Sequence, residues 1–137
     1  MKRIVLLSCV STKLKYRAKT KDLYISPYFK FSLRYARKLS PDKIFILSAK
    51  HGLLNLDDEI EPYNLTLNKM LLKKRKEWAN KVLNQLRKVV DFQKDEVIFL
   101  TGKRYRELLT PFIRNYKEPL KGLGFGKILK FLKENSK

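Results

Sequence analysis

The chain has 137 residues, 44% of them hydrophobic, enough for one proper core and too few for two domains of ordinary size. Its 32 Lys and Arg against 13 Asp and Glu leave a net charge of +19, which points to a polyanionic partner, nucleic acid before membrane. A merely Lys-rich proteome would bring Glu along with Lys, and Glu is scarce here; the single Cys and single His exclude an internal disulfide and an ordinary structural zinc site.

A lone thiol fits a reducing, cytoplasmic setting. Lys2, Arg3 and the run ending Leu6-Leu7-Ser8-Cys9 have the outline of a lipoprotein signal, but the apolar stretch is too short for a secretory h-region. No other stretch approaches transmembrane length. The expectation is a protein with no membrane partner and no call for a cofactor or resident metal.

Strand one is read from Ile4-Val5-Leu6-Leu7, followed by Ser8-Cys9; the same pattern of four apolar residues, a hydroxyl and a small residue recurs at 44–49 and 97–102. Uninterrupted apolar runs suit strands buried on both faces, as in a parallel sheet covered by helices. Between strand one and residue 23, Lys13, Lys15, Arg17, Lys19 and Lys21 fall on alternate positions. In extended backbone these five would form one cationic row able to track phosphates. Ser26-Pro27 starts a helix, with Ser as N-cap and Pro at the first helical position, running to about residue 39. Phe29, Leu33 and Ala36 share its core face, Phe31 is also read as core, and Ser40-Pro41-Asp42 turns into strand two.

Residues 49–66 lack periodicity and hold Asp57, Asp58, Glu59 and Glu61, yet their Leu, Ile, Pro and Tyr side chains argue for an ordered active-site loop. Thr66 or Asn68 then caps a long helix reaching about residue 90, striped with Leu67, Met70, Leu71, Trp78, Val82, Leu86 and Val89. Lys73-Lys74-Arg75-Lys76 forms a basic knot near its start, a second candidate contact for nucleic-acid backbone. Strand three leads into a helix over 103–114, 117–120 reads as an edge strand, and Gly122, Gly124 and Gly126 precede a last helix over 128–133. The alternation predicts a single α/β domain over residues 1–137: a sandwich with a mostly parallel sheet of three or four strands covered by helices.

Open parallel sheets bind ligands outside the carboxyl ends of their strands, so Ser8, Ser48 and Thr101 should share one rim. His51, beside Gly52 just past strand two, is placed for general acid/base work or for stabilising a developing anion. Cys9 would permit covalent catalysis if its rim met that of His51. The glycine run before the last helix is read first as a close packing turn, and second as a phosphate cradle.

Ser48-Ala49-Lys50-His51-Gly52-Leu53-Leu54, with Asp57, Ile60 and Pro62-Tyr63-Asn64-Leu65, resembles the signature of a family of small, largely uncharacterised prokaryotic proteins. Further marks are Cys9, Ser11 and Lys13; Asp22-Leu23-Tyr24 with Ser26-Pro27-Tyr28-Phe29; Thr101-Gly102 with Tyr105; and Pro119-Leu120 with Gly122-Leu123-Gly124. The Gly-Leu-Leu to Pro-Tyr-x-Leu stretch is similar to part of the YaaA peroxide-stress proteins, which bind DNA. The start of the chain is similar to the catalytic domain of archaeosine synthase, which acts on a base in tRNA, although Val10 stands between Cys9 and Ser11 here. Relatives in phage defence act as DNA glycosylases, which implies a uracil-DNA-glycosylase-like sandwich and favours DNA over RNA as partner.

Under that resemblance a flipped nucleotide would be held at the rim while its base leaves as an anion. His51 or Lys50 would stabilise the leaving base, and Asp22 or Asp57 would orient water or balance the sugar's charge. Ser8, Ser11, Lys13, Ser48, Gly52, Thr101 and Gly102 would contact the base or its sugar, with Tyr24 or Tyr63 stacking. The leading expectation is N-glycosidic hydrolysis in DNA. A DNA- or RNA-binding protein without catalysis is the alternative, and a metal-dependent nuclease built on Asp57, Asp58, Glu59 and Glu61 is third, disfavoured because neighbouring side chains in extended backbone diverge.

Overall fold

The computed structural model describes residues 1–10 and 12–137. The three apolar runs become the strands β1 (Arg3–Ser8), β3 (Lys43–Ser48) and β6 (Glu96–Leu100). Ile4 to Leu7 of β1 and Val97 to Leu100 of β6 are buried without alternation, as strands covered on both faces must be. β1 lies centrally and pairs in parallel with β3 (Leu6 opposite Phe45) and with β6 (Leu6 opposite Phe99). The main sheet has five strands among the described residues, in the order β4 (Gly52–Asn55), β3, β1, β6 and β7 (Asn115–Lys117).

The two outer strands change the expected picture of three or four strands. β4 (Gly52–Asn55) folds back antiparallel on β3 and so gives order to part of the segment 49–66. Its apolar run is too short for periodicity to reveal, and the hairpin is set by Gly52, whose φ of +76° only glycine adopts without strain. β5 (Glu59–Ile60) pairs antiparallel with β2 (Ala18–Lys19) in a small second sheet. At the other edge, β7 (Asn115–Lys117) pairs in parallel with β6. The edge strand therefore ends where 117–120 was expected to begin, with Pro119 just outside it.

Of the helices, α2 (Pro27–Lys38) follows the sequence signal closely: Ser26 Oγ accepts the Phe29 amide at 3.2 Å, Leu39 closes the helix, and Phe29, Leu33 and Ala36 are buried. Phe31 is half-buried against the core. The long helix is shorter than 66–90: a 3-10 turn at Leu67–Lys69, capped by Thr66, precedes α3 (Leu72–Arg87). Leu71 and Val89 of its supposed stripe are exposed. The helix expected over 103–114 is only one turn, α4 (Lys103–Arg106), because Thr110-Pro111 imposes a 3-10 turn. The last helix, α5 (Phe125–Asn135), is longer than foreseen and packs on α2. No helix among the described residues is long and apolar enough to cross a membrane.

The chain runs from β1 to β3 on one side of the sheet and later returns to β6 on the other. The carboxyl ends of β1 and β6 therefore flank the point where strand order reverses, which is where open α/β sheets leave a crevice. Ser8 and Cys9 stand on one side of it, Thr101 and Gly102 on the other.

Candidate functional site

Ser48, at the end of β3, organises one half of the rim. Its Oγ accepts the amides of Lys50 (3.2 Å) and His51 (3.0 Å) and donates to the Tyr63 hydroxyl at 2.8 Å. Tyr63 lies 2.6 Å from the hydroxyl of Tyr24. Either hydroxyl of that pair can be the donor, so the three form a continuous series from Ser48 through Tyr63 to Tyr24. Burial pushes both phenols well above the ordinary tyrosine range, so they stay neutral donors at any physiological pH. Tyr24 approaches Tyr63 edge-on.

The other half gathers around Tyr105 of α4. Its hydroxyl lies 3.3 Å from Cys9 Sγ and 3.4 Å from Thr66 Oγ1, and accepts the Leu67 amide at 3.3 Å. Burial, with Cys9 second, holds this phenol protonated too. The indole of Trp78 stands edge-on to Tyr105 at 5.8 Å and donates to the Ser48 carbonyl at 2.8 Å, joining the two halves. On the β6 side, Thr101 donates to the Gly102 carbonyl at 3.1 Å. Arg106, buried, donates to the Thr101 carbonyl and to Glu118 at 3.0 Å. Tyr28, raised in pKa mainly by burial, is hydrogen-bonded to Ser8.

Lys13 and His51 meet at one ring. Lys13 Nζ lies 4.6 Å from the centre of Tyr63 and 5.7 Å from that of Tyr24, a cation over aromatic faces. Burial lowers its pKa, against the raising influence of Cys9. The imidazole of His51 is edge-on to the same Tyr63 at 5.6 Å. Its pKa is lowered by burial first, then by the charges of Lys50 and Lys81. Near neutral pH His51 is therefore uncharged and able to accept a proton, while Lys13 supplies positive charge. In an NMR titration His51 is expected to change protonation below pH 6.5. Lys50→Gln and Lys81→Gln should each raise that midpoint, with part of the depression persisting because burial remains; a midpoint above 6.5 in the wild type would contradict this electrostatic picture.

The site needs Gly52 for two reasons. Its left-handed φ tightens the turn after His51, and an added Cβ would collide with Gln85 Oε1, which accepts the Leu53 amide at 2.9 Å. Gly52→Ala is expected to cost about 2 kcal/mol, combining backbone strain and the displaced amide bond, read as a lower denaturant midpoint. A loss below about 0.5 kcal/mol would show the turn to be unconstrained.

Several candidate residues are elsewhere. β4 runs away from the rim, with Asn55 opposite Phe45, so Asp57 lies by the far end of β3, in a groove with Arg37, Asp42 and Lys43. There it pairs with Lys21 (3.3 Å) and Lys19 (4.0 Å), and cannot serve the rim chemistry. Asp22 is exposed on α1 (Thr20–Leu23). The cationic row is broken: Lys13 turns into the rim, Arg17 pairs with Glu61, Lys21 is helical, and Lys15 is exposed. The acidic segment answers these cations, since β5 pairs with β2, and among the described residues no three His, Cys, Asp or Glu side chains converge as metal ligands. The basic knot is split by helical geometry: Lys73, Lys74 and Lys76 face solvent, whereas Arg75 is buried and paired with Glu107. Cys9 lies 3.3 Å from the Tyr105 hydroxyl and also acts electrostatically on Tyr63, Tyr24 and Lys13, while His51 stands edge-on to Tyr63, so both border the same tyrosine cluster. Gly102 is the N-cap of α4 and Gly124 that of α5. Ser11 lies outside the described residues.

Tyr28, Thr66, Trp78, Tyr105 and Arg106 belong to the rim but were not among the chosen site residues. Tyr28 and Tyr105 did carry a signal, as marks of the family resemblance, and Trp78 was read as core. Thr66 and Arg106 had none, because only the tertiary fold brings them to the strand ends.

Fold and rim together define an open α/β protein whose parallel strands bring neutral hydroxyls, aromatic rings, one His and one Lys together at their carboxyl ends. The chain belongs to a family of unknown function, DUF6884, whose profile matches residues 4–134. It is 29% identical to the uncharacterised protein YfjM of Bacillus subtilis (strain 168), over 91% of this chain and 90% of that one. No solved structure matches it.

Proposed function

We propose that the protein is a nucleic-acid-directed enzyme that acts on a nucleobase, hydrolysing an N-glycosidic bond in DNA. The observation that carries this reading is the placement of Lys13 and His51 against the same half-buried Tyr63 ring, with Ser48, Tyr63 and Tyr24 joined beside them in a series of neutral hydroxyls. Neutral donors and aromatic faces suit recognition of a flipped base. The surplus of cations suits the phosphates on either side of it.

In this reading the C1′–N bond breaks and the base leaves with its electron pair, its negative charge met by Lys13. Water adds its oxygen to C1′ and gives a proton to neutral His51, which returns it to the departed base. The reading uses neither Asp57 nor Asp22, and assigns to His51 the role of base instead of cation. The four parallel strands and the reversal of strand order at β1 support a uracil-DNA-glycosylase-like arrangement as part of the same proposal.

Duplex and single-stranded DNA carrying a panel of modified bases, followed by alkaline cleavage at abasic sites, tests it. Abasic sites should form, and affinity should fall steeply and independently of sequence as salt rises. Salt-dependent binding with no abasic sites on any substrate would make the protein a nucleic-acid-binding protein without this catalysis, and a flat salt response would remove nucleic acid altogether.

A further inference from the structure

Between the loop after β3 and α3 lies an open groove of about 450 Å³, which adjoins the rim at Trp78. Its apolar lining is Ala49, Leu65, Met70 and Trp78, and its charged lining is Lys50, Lys74, Lys81 and Glu77. The α3 residues recur at spacings of three and four, so they present one helical face. Glu77 is engaged by Lys74 at 3.5 Å, which leaves the mouth positive through Lys50 and Lys81. Lys81 Nζ also reaches the Lys50 carbonyl at 3.5 Å, tying helix to loop at the mouth.

We propose that this groove receives a nucleotide flanking the one whose base enters the rim, its base lying on the Leu65, Met70 and Trp78 floor and its phosphate on Lys50 and Lys81. The proposal rests on the nucleic-acid reading above and adds to it a second, sequence-tolerant subsite. The size suits one flat group with its phosphate; a docked helix would need a longer apolar track. Apolar floor and cationic mouth are the two halves of single-strand recognition, stacking for the base and charge for the backbone.

Position supports the same assignment. Trp78 forms the floor of the groove, and its indole N–H is bonded to the Ser48 carbonyl while its ring abuts Tyr105. A base resting on Trp78 is thus separated from the rim by a single side chain, as consecutive nucleotides require. Leu65, an apolar residue 42% exposed at this mouth, gains cover from such an occupant.

Trp78 is the only tryptophan of the chain, so intrinsic fluorescence reads the groove directly. The full chain is titrated with a thymidine hexanucleotide and with a hexamer of abasic spacers carrying the same phosphates. The hexanucleotide should quench Trp78 and bind about tenfold or more tightly than the spacer hexamer, because stacking is lost in the latter. Leu65→Asp and Lys81→Glu, both at exposed positions, should each weaken hexanucleotide binding about tenfold. Lys127→Glu on α5, which changes the charge as much as Lys81→Glu and more than Leu65→Asp at another exposed site, should weaken it no more than about threefold. Equal affinity for the two hexamers, binding without quenching, or an equal loss from Lys127→Glu would overturn the groove assignment even if abasic sites are formed. Quenching with the expected variant pattern but no base excision would uphold the groove and reject the catalytic reading.

Discussion

His51→Ala is expected to lower abasic-site formation roughly a hundredfold or more while leaving melting temperature and salt-dependent DNA binding nearly unchanged. The ring of His51 is half-buried and touches Tyr63 edge-on, and it is the backbone amide of His51, not its side chain, that donates to Ser48 Oγ, so the turn survives truncation. Lys13→Met should show a comparable loss, since a cation facing the departing base acts only as charge develops. The two variants should differ in pH dependence. An acid limb set by His51 should be present in Lys13→Met and absent from His51→Ala, because protonation of a base abolishes its function as pH falls. A stably folded His51→Ala that forms abasic sites at the wild-type rate would exclude His51 from catalysis. Loss of melting temperature, binding and activity together would assign it a structural role.

Arg106→Met should be among the most destabilising single substitutions, costing about 3 kcal/mol. Arg106 is 7% exposed, and its guanidinium joins Glu118 to the end of β6 through the Thr101 carbonyl. Removing it leaves a nearly buried carboxylate without its counter-charge and a strand-end carbonyl without its donor, which costs more than the pair contributes when intact. Arg106→Met combined with Glu118→Leu should recover most of the loss, as measured by denaturant midpoints at constant slope. Strictly additive losses in the double variant would mean that the two side chains are not coupled.

What could be read along the chain is what depends on near neighbours. Ser26-Pro27 defines its helix start within four residues, through one hydroxyl and one missing amide hydrogen, and α2 begins where those residues require. The apolar runs at residues 4–7, 44–47 and 97–100 likewise identify strands buried on both faces, because a run without alternation has no solvent side to offer. From these alone it follows that Ser8, Ser48 and Thr101 end parallel strands, and that Gly52 permits a sharp turn after His51.

Strand direction, pairing and side-chain company were settled by tertiary structure. β4 reverses on β3 and carries Asp57 to the opposite end of the sheet, so a carboxylate six residues from His51 in sequence is remote from it in space. The alternating cations of 13–21 did not form a row, because Glu61, just past β5, and Asp57, in the turn before it, approach them, and opposite charges brought together by strand pairing outweigh a local period of two. Local sequence fixes backbone habit through sterics and capping. It leaves open which distant groups meet: Lys13 came to lie over Tyr63, and Tyr105 beside Cys9, only because the parallel sheet delivers three separate strand ends to one edge.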